Sequence, residues 1–112
     1  MEISLKGYGN KYVTMRVENA TIGDCLDISK NNTATKAQEL KAPIGKLISL
    51  NGAYGLVQTS GAVELRYDSI PPKLGLGFLV ADAKGGAKEG ADGRQAIITE
   101  VDTVNKTFVA LM

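Results

Sequence analysis

The closing stretch Gln95-Ala-Ile-Ile-Thr-Glu-Val-Asp-Thr-Val-Asn-Lys-Thr-Phe-Val-Ala-Leu-Met112 reads as a β-hairpin whose second arm runs to the last residue. Asp102 suits the first position of a type I turn, and Asn105 tolerates the left-handed conformation that ends a three-residue hairpin loop. The arm Phe108-Val-Ala-Leu-Met112 is apolar at both parities, which predicts burial on both faces. A chain ending on such a strand is expected to have its terminus fixed in a sheet.

The same grammar of alternating strands and tight turns continues upstream. Glu2 to Lys6 alternates, with Met1, Ile3 and Leu5 on one face, and Gly9-Asn10 offers a II′-type turn into Lys11 to Val17. Cys25 to Ser29 reads as a short strand with Leu26 and Ile28 on one side, followed by a turn at Asn31-Asn32-Thr33. Asn51-Gly52, between Ile44–Leu50 and Ala53–Thr59, is the strongest two-residue hairpin signal in the chain. In Ala62–Tyr67 the residues Val63, Leu65 and Tyr67 alternate with Glu64 and Arg66, which places the two charges on an outward face. Leu76–Ala81 is a further apolar strand. A small ribbon at Ala87–Glu89 is expected inside the glycine- and lysine-rich stretch 82–93.

Only Ala34–Lys41 has any helical character, with Thr33 as N-cap. It lacks an apolar stripe, so a loop with at most one helical turn is expected, stopped by Pro43. Eight to ten short strands at this spacing predict an all-β fold. The expectation is a single domain over residues 1–112, a compact β-barrel or sandwich of short antiparallel strands.

Bulk composition agrees with a packed domain. At 112 residues a chain can bury roughly 65% of its unfolded surface without staples. A hydrophobic content of 44% against 22% charged residues is the globular average and argues against disorder. Six aromatic residues leave a core of Val, Leu, Ile and Ala, and thirteen glycines fit a fold with many turns. Thirteen basic and twelve acidic residues give a net charge of +1, with Arg16, Arg66 and Arg94 scattered. That distribution lacks the basic face a nucleic-acid partner requires. No apolar run reaches the eighteen residues of a membrane span, and Met1–Lys6 has no signal-like apolar region, so cytosolic synthesis is expected.

The candidate chemistry is thin. With no histidine, neither a Ser-His-Asp triad nor an activated thiolate can be assembled, and Cys25 reads as a small buried hydrophobe. Asp82, Glu89, Asp92 and Asp102 fall near two loops but match no calcium-loop spacing, so they read as turn residues, and no metal or cofactor is expected. Gly75-Leu76-Gly77 and Gly85-Gly86 lack the strand–helix context of a phosphate loop. Tyr8 and Tyr12, flanking the first turn, either cap the end of a barrel or offer contact surface. Pro71-Pro72 reads as edge protection or as a contact ridge.

Taken in order, Ile3-Ser-Leu-Lys-Gly-Tyr-Gly9, Asp27-Ile-Ser-Lys-Asn-Asn-Thr33, Ala53-Tyr-Gly-Leu-Val-Gln-Thr-Ser-Gly-Ala-Val-Glu-Leu65, Leu79-Val-Ala-Asp-Ala-Lys-Gly-Gly-Ala-Lys88 and Gly93-Arg-Gln-Ala-Ile-Ile-Thr-Glu-Val-Asp-Thr-Val-Asn-Lys-Thr-Phe108 resemble the small head-decoration, or capsid-cement, proteins of bacteriophages and prophages. The likeness spans most of the chain. It implies a β-tulip or β-barrel module without enzymatic activity that binds the outside of an assembled head, commonly as a homotrimer. The partner would be the major capsid protein, and the location the outer surface of the virion. Glu2, Lys6, Tyr8 and Tyr12, then Pro71 and Pro72, are the expected capsid contacts. The chain departs from relatives that carry a long N-terminal arm, because its strand pattern starts at residue 1. Strand addition would therefore use Glu2–Lys6. The reading from a different class is a carbohydrate- or ligand-binding β module of a fibre or receptor-binding assembly.

Overall fold

The terminal hairpin forms where its alternation places it, with a longer loop than its turn residues suggest. The computed structural model describes residues 9–112. In it β9 (Arg94–Asp102) and β10 (Thr107–Leu111) pair antiparallel, with Asp102 opposite Thr107. Four residues therefore make the loop, and the left-handed position is Lys106, at φ 55°, instead of Asn105. Asp102 does open the turn: its Oδ1 accepts from the Val104 and Asn105 amides at 3.0 and 3.1 Å. The Asn105 side-chain amide is held on Asp102 Oδ2 at 2.8 Å and is thereby committed to the turn.

The Asn51-Gly52 signal also shifts by one residue. β4 (Gly45–Asn51) and β5 (Tyr54–Ser60) pair with Asn51 opposite Tyr54, so the loop is Gly52-Ala53. Gly52 sits at φ 65°. This is the II′ pattern, with glycine at the first central position, and it leaves Asn51 as an ordinary strand residue.

Among the described residues there are ten strands and no helix. β1 (Lys11–Glu18), β2 (Cys25–Lys30), β3 (Thr33–Lys36), β4 and β5 close a barrel in the order β1-β3-β2-β4-β5. β6 (Ala62–Arg66), β7 (Gly75–Ala81), β8 (Ala87–Glu89), β9 and β10 form a second sheet in the order β6-β10-β9-β7-β8.

The stretch read as a loop with at most one helical turn, Ala34–Lys41, begins inside β3, and its expected N-cap Thr33 is the first residue of that strand. Thr33 and Thr35 are β-branched and suit a strand, and Ala34, fully buried, fits the crowded barrel interior. β3 pairs antiparallel with β2 and parallel with β1. The all-antiparallel expectation fails at this one seam for a geometric reason: a closed ring with an odd number of strands cannot alternate direction throughout. The first arm predicted at Glu2–Lys6 lies outside the described residues.

Two apolar clusters hold the fold. Val17, Leu26, Ala34, Leu47 and Val57 fill the barrel. A larger cluster, including Val63, Leu65, Leu79, Ile98 and Phe108, lies under the second sheet. β2 is the wall between them. Cys25 and Leu26 are both 0% exposed, yet Cys25 belongs to the sheet cluster and Leu26 to the barrel. Successive side chains of a strand point to opposite faces, so this one dipeptide anchors both cores. Farther along β2 the burial ends: Ile28, expected to share the side of Leu26, is largely exposed beside a bulge. β10 lies between β6 and β9, with Phe108 and Ala110 buried and Val109 and Leu111 half-buried. Full burial was expected for both parities and holds for one.

Candidate interaction surfaces

The outer face of the second sheet is apolar where alternation would ordinarily place polar residues. Leu76 lies opposite Ile97, Ile97 opposite Leu111, and Leu111 opposite Ala62. Four strands thus contribute one transverse row. Leu76 is 67% and Ile97 46% exposed, and Phe78, two residues along β7, is also 46% exposed. One of only two phenylalanines in the chain is therefore left on the surface. Glu64 and Glu100, on either side of Val109 in the ladder, border the row. A contiguous apolar patch with a polar rim is the usual mark of a contact surface.

The polar groups near the centre of the molecule are committed to joining the two sheets. From β9, the Arg94 guanidinium donates to the carbonyls of Ile44 (2.8 Å), Pro43 and Thr59. Burial lowers its pKa from the ordinary arginine value. Lys46 of β4 donates to the Glu64 carbonyl on the outer edge of β6, and burial, partly offset by Glu64, lowers its pKa too. The same edge meets Asn10 Oδ1, which accepts from the Ala62 amide, and the Gln58 side chain, which donates to the Ala62 carbonyl. Arg66 reaches the buried Asp24 at 3.0 Å. Glu64 and Arg66 both face outward and are exposed, as alternation placed them, and the half-exposed Arg66 guanidinium is at the same time engaged by Asp24.

The residues considered for chemistry have structural employment. Desolvation, with Asp82 beside it, pushes the Cys25 thiol up to about 12, so it stays protonated and unreactive. Asp82 Oδ1 accepts from the Lys84 and Gly86 amides at 2.8 and 2.9 Å and shapes the turn after β7. Glu89 Oε1 accepts from the Lys73 amide. Among the described residues no cluster of three or more His, Cys, Asp or Glu is placed to hold a metal ion. A cleft of about 390 Å³ lies between Glu39, Asp68, Ile70, Pro71 and Lys88. Two of its acids are paired: Glu39 with Lys88, which also lines the cleft, and Asp68 with Lys84, which does not.

Of the residues predicted to make contacts, Glu2, Lys6 and Tyr8 lie outside the described residues. Tyr12 is 48% exposed at the start of β1, its hydroxyl accepting from Asn10. Pro71 is exposed on the cleft, whereas Pro72 is buried. Tyr12 belongs to the barrel and Pro71 to the connection leading into β7, so the structure does not unite them in one strand or turn. The outer row was missed because alternation assigns parity without saying which parity is covered. A signal did exist in Gly75-Leu76-Gly77-Phe78, where large residues on one face alternate with glycines on the other.

The chain matches no known family model, no curated protein and no solved structure.

Proposed function

We propose that this chain is a structural protein that decorates a bacteriophage head, binding its outer surface and bridging neighbouring major capsid subunits without catalysis. The observation that supports this most directly is the apolar row Ala62–Leu111–Ile97–Leu76, held in register on a sheet whose other face is a packed core. A rigid sheet presenting such a row loses little conformational freedom on docking, which favours affinity from a modest area. The resemblance supplies the partner and the homotrimeric arrangement on the virion exterior, after synthesis in the host cytoplasm. Repetition over a shell multiplies weak contacts into firm attachment. Tyr12 and Pro71 are secondary contact candidates on the described surface.

The test is sedimentation of the purified protein with assembled heads that lack it. Saturable co-migration is expected, and Ile97→Lys should abolish it while changing folding stability by less than about 0.5 kcal/mol, as surface substitutions do. Protein that stays at the top of the gradient at every ratio would refute the proposal. The carbohydrate-binding reading draws on the cleft beside Pro71. That lining has no aromatic platform, although Ser69 and the acids could hydrogen-bond a sugar.

A further inference from the structure

We infer that Asn51 is the site of a spontaneous self-modification, in which its side-chain amide is displaced by the backbone nitrogen of Gly52 and an aspartate or isoaspartate is left in its place. The reaction needs an asparagine side chain that nothing holds, an unhindered and unbonded amide immediately after it, and access to water. Only one asparagine in the chain, Asn51, precedes a glycine. Asn10 is held by Tyr12 and the Ala62 amide, and Asn105 by Asp102. Asn51 stands exposed at the end of β4, and its side chain bonds to no other group among the described residues.

The turn leaves the attacking nitrogen open. Because Asn51 pairs with Tyr54, the Gly52 amide sits at the first central position of the loop, outside the ladder. It donates to no backbone carbonyl among the described residues. A side chain at Gly52 would meet nothing within 4 Å, so a ring can close there without displacing a neighbour. The chain supplies its own comparison in Asp92-Gly93, where an aspartate precedes glycine and could form the same ring. There the Gly93 amide donates to the Gly90 carbonyl at 3.0 Å, and the space beside Gly93 is filled by the Leu79 backbone. Ring closure is hindered at Gly93 and free at Gly52.

In the first step the Gly52 nitrogen bonds to Asn51 Cγ. The Cγ–Nδ2 bond breaks, and Nδ2 leaves as ammonia with the proton that Gly52 gives up. The reacting groups belong to adjacent residues, so no second molecule has to be oriented for this step. Water then opens the cyclic imide. Breaking the side-chain carbonyl's bond to nitrogen gives aspartate, and breaking the main-chain carbonyl's bond gives isoaspartate. The products differ in their effect on the barrel. Aspartate adds a negative charge to the outer row Arg16–Tyr54–Asn51. Isoaspartate also lengthens the main chain by a carbon where β4 enters the turn. That displaces the Ala53 carbonyl, which accepts from the amide of the buried Val17 at 2.9 Å. The inference concerns the free protein and stands or falls independently of head binding.

The full chain, incubated in mildly alkaline buffer well below its unfolding temperature and then digested, tests it by peptide mass spectrometry and isoaspartyl methyltransferase labelling. Conversion is expected at Asn51 well ahead of Asn19, Asn31, Asn32 and Asp92. Asn51→Thr has no amide to lose and should show no product at that position. Gly52→Ala crowds the attacking nitrogen and should slow conversion several-fold. Asn51→Asp supplies the charge without the longer main chain. Hydrogen exchange at the Val17 amide should therefore accelerate in the isolated isoaspartyl form and keep its native rate in Asn51→Asp. Circular dichroism confirms that each variant is folded. An Asn51 that stays intact, converts only in urea, or converts no faster than Asn32 or Asp92 would overturn the site. Native exchange at Val17 in the isoaspartyl form would overturn its effect on the barrel.

Discussion

Arg94 and Cys25 show how single residues join two sheets. Arg94 satisfies carbonyls on two separate stretches of the barrel, at Pro43–Ile44 and at Thr59, from a position on β9. Arg94→Ala leaves those acceptors without donors and is expected to cost about 1–3 kcal/mol in urea denaturation, with Arg94→Lys intermediate. A loss under about 0.5 kcal/mol for the alanine variant would mean that water replaces the guanidinium freely. The Cys25 thiol is raised from an ordinary 9.0 to about 12. The native state therefore holds its proton where the unfolded chain releases it. The resulting stability is complete below about pH 9 and is lost progressively as pH rises towards 12. Stability should fall more steeply above pH 9 in the native protein than in Cys25→Ala, and thiol reagents should label Cys25 only through unfolding. Rapid labelling of the folded protein at pH 8 would contradict this environment.

At the scale of elements, turns separate what a sequence states from what pairing decides. Asn-Gly suits a type I′ turn with both residues in the loop, yet Asn51 is recruited into β4 and the loop is Gly52-Ala53. The difference has a mutational signature. Asn51→Thr should be tolerated within about 0.5 kcal/mol, whereas Gly52→Ala forces a side chain into the left-handed region and should cost about 1–2 kcal/mol. Thermal denaturation of both variants decides between the two turns. In the β9–β10 loop the bonds from Asn105, backbone and side chain, lower the Asp102 pKa below the ordinary 3.8. Its stabilisation is present above the unfolded value and fades as pH falls through the lower folded one. An NMR titration of the Asp102 carboxyl with a midpoint at or above 3.8 would count against the loop geometry. Most strands were legible because alternation is local. β3 was not, since Thr33–Lys36 becomes a strand only when β1 and β2 are there to receive it. The outer apolar row was hidden for a related reason: Leu76 and Ile97 meet across a ladder that no local pattern reveals.

Over the whole molecule, the question is whether two apolar clusters make one cooperative unit. β2 serves both, because Cys25 packs under the second sheet and Leu26 in the barrel. The backbone also crosses between them: Cys25 donates to the Gly85 carbonyl, Leu40 to Ala81, and Ala81 to Lys41. Opening the barrel would strip Cys25 from the sheet cluster and free the acceptors of Arg94, so neither half can open without exposing part of the other. Leu47 is fully buried in the barrel and belongs to its cluster alone. Leu47→Ala should cost about 2–5 kcal/mol, and the loss should be shared. Amide exchange at Val63, Ile98 and Phe108, across the wall, should accelerate to the same extent as at Val57 beside the new cavity. Faster exchange confined to the barrel would mean that the halves fold separately and that the crossing bonds only dock them. Shared loss would make the apolar outer row a feature of one rigid body, able to carry a load from one neighbour to another.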